Sequence, residues 1–166
     1  MTELQIHPCH PNSGVVHEDV QHPSPFLCEI KVDNKQSSSE VDHVNNIQYI
    51  RWIDRGSQLH CDACGWTRSR LLDDGVMWFV ARHEIDYLAE VKAGDTLQLT
   101  TWVDDVRRVK SWRSTVIHTT SDPIRAVCKC RTLWVLVDLN TRRPTAIPKD
   151  MAMAFDSRTK PRLAST

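Results

Sequence analysis

Five stretches of the chain have the residue pattern of β-strands. Residues 26–32 end in strict alternation, which places Cys28, Ile30 and Val32 on one face. After Gly75, four longer stretches are rich in β-branched and aromatic residues and are separated by polar turns, at 77–88, 96–103, 112–118 and 126–139. Because the turns are short, neighbouring strands are expected to pair antiparallel.

Residues 42–56 have the features of a helix between the first strand and the rest. Asp42 is the predicted N-cap, whose carboxylate accepts a hydrogen bond from the backbone N–H of Asn45, and Gly56 is the predicted end. A further short helix is expected within 57–75. The apolar residues are too many for a narrow surface stripe, so the first helix is expected to be mostly buried: Val44, Ile47, Tyr49, Ile50, Trp52 and Ile53. One strand, one buried helix and four long strands predict an α+β fold, with a curved antiparallel sheet wrapped around one central helix.

The length of 166 residues fits one compact domain. Four of the eight histidines and four of the eight prolines lie within residues 1–25, which have little apolar periodicity. This segment is therefore predicted to be a flexible N-terminal arm, although its histidines leave metal binding open. The domain is expected to span residues 26–148, followed by a C-terminal tail over residues 149–166.

Charge and hydropathy exclude several classes of partner. Lys plus Arg and Asp plus Glu both number 21, so the chain lacks the basic excess typical of proteins that bind nucleic acid. Mean hydropathy is -0.42, and no apolar run approaches the roughly 18 residues of a membrane span. The first residues lack the basic and apolar segments of a secretory signal, so a cytoplasmic location without disulfides is expected.

The cysteines offer only a weak metal-binding pattern. Cys61 and Cys64, preceded by His60, have the spacing of half a zinc site. Cys128 and Cys130 are two residues apart on a predicted strand, so both face the same side, and a role as small buried hydrophobes explains them. We expect neither a bound metal nor another cofactor.

The predicted sheet also indicates self-association. One sheet covers only one side of the helix, and four tryptophans in the strands need cover, at positions 78, 102, 112 and 134. Edge-to-edge pairing of two sheets across a two-fold axis would remove an exposed strand edge from each subunit. A homodimer is the minimum expectation, and pairing of dimers into tetramers stays open.

Residues with catalytic potential cluster at the start of the predicted helix, where two carboxylates, an imidazole and two carboxamides occur: Glu40, Asp42, His43, Asn45 and Asn46. The first backbone N–H groups of a helix are unpaired and carry partial positive charge, so they can stabilise an oxyanion. Glu40 or Asp42 can activate water or attack a carbonyl directly. A thioester suits such a site because its thiolate leaves without a strong acid. The same residues are also explained without catalysis, by a helix cap and neighbouring side chains that are simply solvated.

The segment His-Val-Asn-Asn at 43–46, followed by Tyr49 and Trp52, resembles the helix-opening motif of the hotdog-fold acyl thioesterases. Residues 83–97 resemble the family's second strand and its Gly-Asp turn, and residues 137–148 resemble its closing strand and tail. The nearest branches are the 4-hydroxybenzoyl-CoA type and the plant-type acyl carrier protein thioesterases. The resemblance implies a hotdog fold, dimers with sites at the subunit interface, and hydrolysis of acyl-CoA or acyl carrier protein thioesters.

One departure from the family affects the catalytic assignment. An Asp usually stands four residues before the motif His, often with another two residues earlier, and here Ser39 and Ser37 occupy those places. Glu40 or Asp42 is then the candidate nucleophile or base. Glu90 matches a Glu that acts with the motif His in the plant-type branch, so the resemblance implies joint action of Glu90 and His43.

The remaining candidates concern substrate binding. Asn45, Asn46 and Tyr49 are expected to contact the acyl thioester. CoA phosphates are expected to meet basic residues near the last strand, Arg142 and Arg143, or those around one hairpin tip: Arg107, Arg108, Lys110 and Arg113. Charged hairpin tips are also commonly only solvated. Two other hypotheses stay open: a hotdog protein that binds acyl thioesters without cleaving them, and a hotdog dehydratase or hydratase.

Overall fold

The computed structural model describes residues 4–9, 16–20, 22–34 and 42–156. Within them, six strands form one antiparallel sheet: β1 (Ile6–Pro8), β2 (Phe26–Lys31), β3 (Val76–Tyr87), β4 (Thr96–Arg107), β5 (Lys110–Thr119) and β6 (Ala126–Asp138). Three helices accompany the sheet: α1 (Asn46–Ala63), α2 (Arg68–Asp73) and α3 (Lys149–Phe155). The strand order is β1-β2-β4-β5-β6-β3, so β1 and β3 are the two edges. The predicted α+β architecture with one long helix against a curved sheet is confirmed.

The principal core lies between α1 and the sheet. Tyr49, Trp52 and Ile53 on α1 pack against inward-facing residues of β2, β4, β5 and β6, among them Ile30 and Leu99. Alternation along each strand produces this arrangement, because residues two apart share a face. Trp52 and Ile53 are completely buried, as expected, whereas Ile47 and Ile50 are 61% and 38% exposed, so the buried face of the helix is narrower than predicted.

Both predicted ends of α1 were wrong. Asn45, not Asp42, is the N-cap, since its side-chain Oδ1 accepts a hydrogen bond from the Ile47 N–H at 2.9 Å. Gly56 lies inside the helix and is buried against Leu99, which leaves no space for a β-carbon. The helix instead ends at Cys64, followed by Gly65 with a φ of +80° that a glycine adopts without strain.

A second, smaller core is formed by segments for which the sequence analysis predicted no helix or strand, or only a short helix without defined ends. α2 supplies the short helix expected within 57–75, and its Leu71 is buried beside Trp66. α3 lies in the predicted C-terminal tail, where Met151 and Phe155 pack against Leu136. The tail's first residues therefore belong to the packed structure, because their apolar side chains are four apart on one helical face.

Part of the predicted N-terminal arm also packs on the sheet. β1 pairs with β2, and its Ile6 is buried. His17 lies against His118 with ring centroids 5.5 Å apart, and His22 stacks on Trp102 at 6.2 Å. Asp19 forms an ion pair with Lys129 at 2.9 Å. These contacts cover some of the outer sheet face, including Trp102. The expectation that all four strand tryptophans lie on this face was wrong, because Trp78 and Trp134 lie on the side that faces α1.

Candidate active site

The N-terminus of α1 is held beside the loop that precedes β4. The Val44 N–H donates to the Val91 carbonyl at 2.8 Å. His43 precedes Val44 and Glu90 precedes Val91, so this hydrogen bond brings the two segments that carry His43 and Glu90 side by side. His43 is half-buried, whereas Glu90 is exposed. The structure therefore places these two candidates in one neighbourhood, although they are 47 positions apart in the sequence.

The carboxylates expected before the helix are placed unequally. Asp42 is solvent-exposed, with 74% of its side chain accessible, and its Oδ2 lies 3.6 Å from the Lys92 Nζ. An exposed ion pair of this kind contributes little to stability, so Asp42 is available for other interactions. Glu40, together with Ser37 and Ser39, lies outside the described residues.

The candidate substrate contacts on α1 have different environments. Asn45 is exposed and uses its Oδ1 as the helix cap, while Asn46 is the exposed first residue of the helix. Tyr49 is only 4% exposed and makes edge contacts with the rings of Trp52 and Tyr87. Burial raises the pKa of Tyr49 to about 12. In this chain Tyr49 is a core residue.

The basic hairpin tip does not lie near the N-terminus of α1. β4 begins at Thr96, close to the Val91 loop, and reaches the tip at Arg107 eleven residues later. The two ends of the strand are therefore roughly 35 Å apart. Arg107 forms an ion pair with Asp105 at 2.9 Å, and Arg108 adopts a positive φ of 51° in the turn. Within one chain, Arg107, Arg108 and Lys110 are not brought together with His43.

A cavity of about 120 Å³ lies under the second half of α1. α1 contributes polar residues to its wall, including Asp54 and Asp62, whereas the sheet contributes Arg113 and two tryptophans, Trp78 and Trp134. Other apolar walls come from the α1–α2 connection, α2, the start of β3, β4 and α3: Trp66, Leu71, Met77, Val103 and Phe155. Of these residues only Arg113 was a sequence candidate, and it lies under α1 instead of at the hairpin tip where phosphate contacts were expected.

Arg113 is a buried cation on the helix-facing side of β5. It is only 4% exposed, and its Nη1 donates to the His60 Nδ1 at 2.8 Å and to the Thr101 Oγ1 at 3.3 Å. Because a guanidinium has only donors, the His60 Nδ1 must be the acceptor, and its ring proton resides on Nε2. Burial lowers the pKa of Arg113. The period-two alternation through Ser111, Arg113 and Thr115 was the available sequence signal for an inward-facing arginine.

Asp54 and His83 form a further pair of titratable groups next to α1. Burial raises the pKa of Asp54, and the nearby His83, Arg68 and Arg55 oppose that shift. Burial lowers the pKa of His83, and the Asp54 carboxylate opposes it. The His83 Nδ1 lies 3.0 Å from the Thr132 Oγ1. No pattern in the sequence connects Asp54 on the helix with His83 on the edge strand β3.

Burial raises the thiol pKa of five of the six cysteines, namely Cys9, Cys28, Cys61, Cys128 and Cys130. Burial raises the pKa of Cys61 to about 11 and those of Cys28 and Cys128 to about 12. These groups are therefore neutral thiols at pH 7, not thiolate nucleophiles or ready metal ligands. Over the described part of the chain, no three His, Cys, Asp or Glu side chains form a group suited to hold a metal ion.

Sheet order, helix position and the residues at the start of α1 define a class, the hotdog-fold proteins of the thioesterase type. A family model described as the thioesterase-like superfamily matches residues 37–155. The chain belongs to this superfamily. No curated protein sequence matches this chain significantly.

Solved structures share the fold at low sequence identity. A 1,4-dihydroxy-2-naphthoyl-CoA thioesterase from Synechocystis superposes with a TM-score of 0.75 and 14% identity, covering 83% of this chain and 100% of its own. A Staphylococcus aureus protein in complex with CoA has a TM-score of 0.74 and 13% identity, covering 82% and 85%. A thioesterase superfamily protein from Jannaschia sp. CCS1 has a TM-score of 0.69 and 19% identity, covering 80% and 81%. The likeness at these identities is one of fold.

Among the helices that the structure describes, none has the length and apolar character needed to cross a membrane.

Proposed function

We propose that the protein hydrolyses acyl-CoA thioesters to the free acid and CoA at the N-terminus of α1. The observation that carries the proposal is the hydrogen bond between Val44 and Val91, which sets the segments of His43 and Glu90 side by side at the helix start of a thioesterase-like chain. The Staphylococcus neighbour was solved with CoA, and the Synechocystis neighbour is a thioesterase for a CoA ester. Both facts favour CoA over a carrier protein as the thiol component.

The first amides of α1 supply the electrostatic part of the mechanism. No acidic residue lies in the first turn of α1, so its partial positive charge is not locally neutralised. Amide N–H groups at this end hydrogen-bond the thioester oxygen and stabilise the negative charge that develops when the carbonyl is attacked. Asn45 keeps the helix start in place by capping the Ile47 amide.

A carboxylate near the helix start activates water, and His43 assists proton transfer. Glu40 and Asp42 are the proposed bases, and Glu90 is proposed to act together with His43. Water adds to the carbonyl carbon while the base takes its proton, and the tetrahedral intermediate then expels the CoA thiolate. A thiol with a reference pKa of about 8.5 leaves without a strong general acid, so this set of groups suffices.

The site is proposed to be completed by a second subunit. β3 is an edge of the sheet, twelve residues long, and it exposes Phe79, Val80 and Tyr87. Pairing of β3 with its symmetry mate would bury this edge and join the two sheets. His83 and Asp54, which lie next to this edge, would then be close to the subunit interface.

The proposed chemistry is tested by thiol release from a panel of acyl-CoAs, with wild type compared to Glu40→Gln, Asp42→Asn, Glu90→Gln and His43→Ala. Loss of the acting base should lower kcat/KM by about 10²- to 10⁴-fold. Asp73→Asn on α2 is the matched control, because it neutralises an exposed carboxylate at the other end of the helix layer. Unchanged rates in all four site variants would overturn the residue assignment.

A second function is kept for one specific reason. Ser37 and Ser39 stand where related enzymes have carboxylates, which favours an acyl-thioester binding protein without catalysis. Acyl-CoA that binds tightly to the wild-type protein without thiol release above the uncatalysed rate would establish this alternative. The same assay with acyl groups carried on acyl carrier protein instead of CoA shows which of the two thioesters the protein prefers.

A further inference from the structure

The cavity under the second half of α1 is too small for a whole acyl-CoA but large enough for one end of an acyl chain. Its volume of about 120 Å³ is similar to the roughly 150 Å³ of an engineered protein cavity that holds benzene. Asp54, at its wall, is eight positions after Asn46, which corresponds to about 12 Å along the axis of α1. A chain of about ten carbons extends over a similar distance.

Two indole donors in the cavity wall have no acceptor. The Nε1 atoms of Trp78 and Trp134 are buried and have no hydrogen-bond partner in the described structure. They belong to neighbouring positions of the β3–β6 pair, where Trp78 faces Leu136 and Trp134 faces Val80. An indole N–H can only donate, and buried donors in folded proteins are nearly always paired. The Trp52 Nε1 in the principal core is also unpaired, so an unpaired indole alone does not identify a ligand; Trp78 and Trp134 differ from it in lining the cavity, where a bound acceptor is within their reach.

The Arg113 guanidinium provides charge of the matching sign. Among the described residues no carboxylate oxygen lies within 4.0 Å of it; the nearby Asp104 is engaged by Arg131 and Ser114. The guanidinium has five N–H donors. Its two hydrogen bonds, to His60 and Thr101, are both made by Nη1. The donors on Nη2 and Nε are left without a protein acceptor in the described residues.

Other charged residues in the cavity wall are more exposed than Arg113. Asp54 and Arg68 are exposed, and Asp62 is half-buried, so they lie toward solvent and carry charges of both signs. The Cys61 thiol is neutral, because burial raises its pKa to about 11. The deep part of the cavity therefore contains one cation and several N–H donors, surrounded by apolar side chains such as Phe155.

We propose that this cavity binds a carboxylate at the far end of an apolar acyl chain, so that the preferred thioesters carry a second, free carboxyl group. A carboxylate has two oxygens with about four acceptor sites, which matches the donors of Arg113, Trp78 and Trp134. The apolar wall accommodates the methylene groups before it. The inference that the bound molecule is the acyl part of a thioester substrate rests on the proposed thioesterase activity. The carboxylate site itself does not.

The test compares ligands that differ only at one end. Rates of thiol release are measured with decanoyl-CoA and with the mono-CoA thioester of decanedioic acid, which has a free carboxyl group at its far end. In a separate experiment, indole fluorescence compares the binding of decanoate with that of decanol. We expect kcat/KM at least about tenfold higher for the carboxylated thioester, and a similar ratio of affinities for decanoate over decanol. Arg113→Met, which keeps an unbranched apolar side chain, should abolish both preferences.

Two further variants keep the test independent of folding. Trp134→Phe retains an aromatic ring but lacks the N–H, and should reduce the preference by a smaller factor. Arg125→Met removes an exposed arginine in the β5–β6 loop and should leave both preferences unchanged. Circular dichroism confirms the fold of each variant. If Arg113→Met does not fold, Arg113→Gln replaces it, because glutamine removes the charge but keeps N–H donors for His60 and Thr101, and it should likewise abolish both preferences.

The outcomes separate this inference from the proposed function. If both thioesters are cleaved equally and decanoate binds no better than decanol, hydrolysis stands and the carboxylate site is overturned. If no thioester is cleaved but decanoate binds in an Arg113-dependent manner, the cavity is a site for free carboxylates and the thioesterase proposal fails. A preference that survives Arg113→Met also overturns the inference.

Discussion

Gly56 sets the distance between α1 and the sheet. A β-carbon built at this position would lie 2.7 Å from the Cδ2 of Leu99, which is completely buried, so the Leu99 side chain would have to shift within the core. Glycine in a helix costs about 1 kcal/mol relative to alanine. At this position the cost is offset by the close approach of helix and strand, which lets the neighbouring Trp52 and Ile53 reach the core.

Gly56→Ala is therefore expected to destabilise the protein. Overpacking against Leu99 costs about 1–3 kcal/mol, partly offset by the helix preference of alanine, so a net loss of about 1–2 kcal/mol in the free energy of unfolding should appear in urea titration. In a Leu99→Ala background the same change should be neutral or stabilising, because the clash is removed. Additive effects of the two substitutions would contradict the steric explanation.

At the scale of elements, the start of α1 is the feature with the greatest functional weight. It combines a side-chain cap from Asn45, a backbone link from Val44 to Val91 and a first turn without acidic residues. The same loop positions β4 through the Asp95 side chain, which accepts from the Lys92 N–H at 2.9 Å. The helix start and the Glu90 segment are thus held by interactions that do not involve the substrate.

The assignment of the cap is testable by two substitutions three residues apart. Asn45→Ala should lower the free energy of unfolding by about 0.5–2 kcal/mol, because the Ile47 amide loses its acceptor. Asp42→Ala should change it by less than about 0.5 kcal/mol, since only an exposed ion pair with Lys92 is lost. Urea unfolding of both variants measures the difference. A larger effect for Asp42→Ala would restore the originally predicted cap.

At the scale of the molecule, the two edges of the sheet differ. β1 is a three-residue edge, too short to recruit another strand easily, whereas β3 is long and carries exposed apolar side chains. Phe79, for example, is 45% exposed. This asymmetry favours association through β3 over association through β1.

Analytical ultracentrifugation should therefore find the wild type at about twice the mass of one chain. Phe79→Lys places a charge on β3 close to its own copy across a two-fold axis, and should weaken the dimer by at least about tenfold in Kd. Met153→Lys on α3, a more exposed apolar residue outside the sheet, should leave the mass unchanged. A wild type that stays monomeric at all concentrations would contradict the β3 interface.

The sequence by itself determined the succession of elements, because period-two alternation and a wide apolar helix face are local properties. Residues 26–32 and the four later stretches all became strands, and the helix formed where its apolar residues cluster. The family motif identified the thioesterase-like superfamily. Short connections also implied antiparallel pairing, which the structure confirms.

Only the tertiary structure decided the helix ends, the packing of the terminal segments and the cavity. Gly56 reads as a helix end locally, but the proximity of Leu99 decides that it is interior. β1 and α3 are stabilised by partners distant in the chain, which short apolar segments do not reveal. The cavity depends on Arg113, Trp78 and Trp134 meeting under α1, and that meeting is set by strand register between three different strands. Register is a long-range property, since a shift by one residue would turn every one of these side chains to the opposite face.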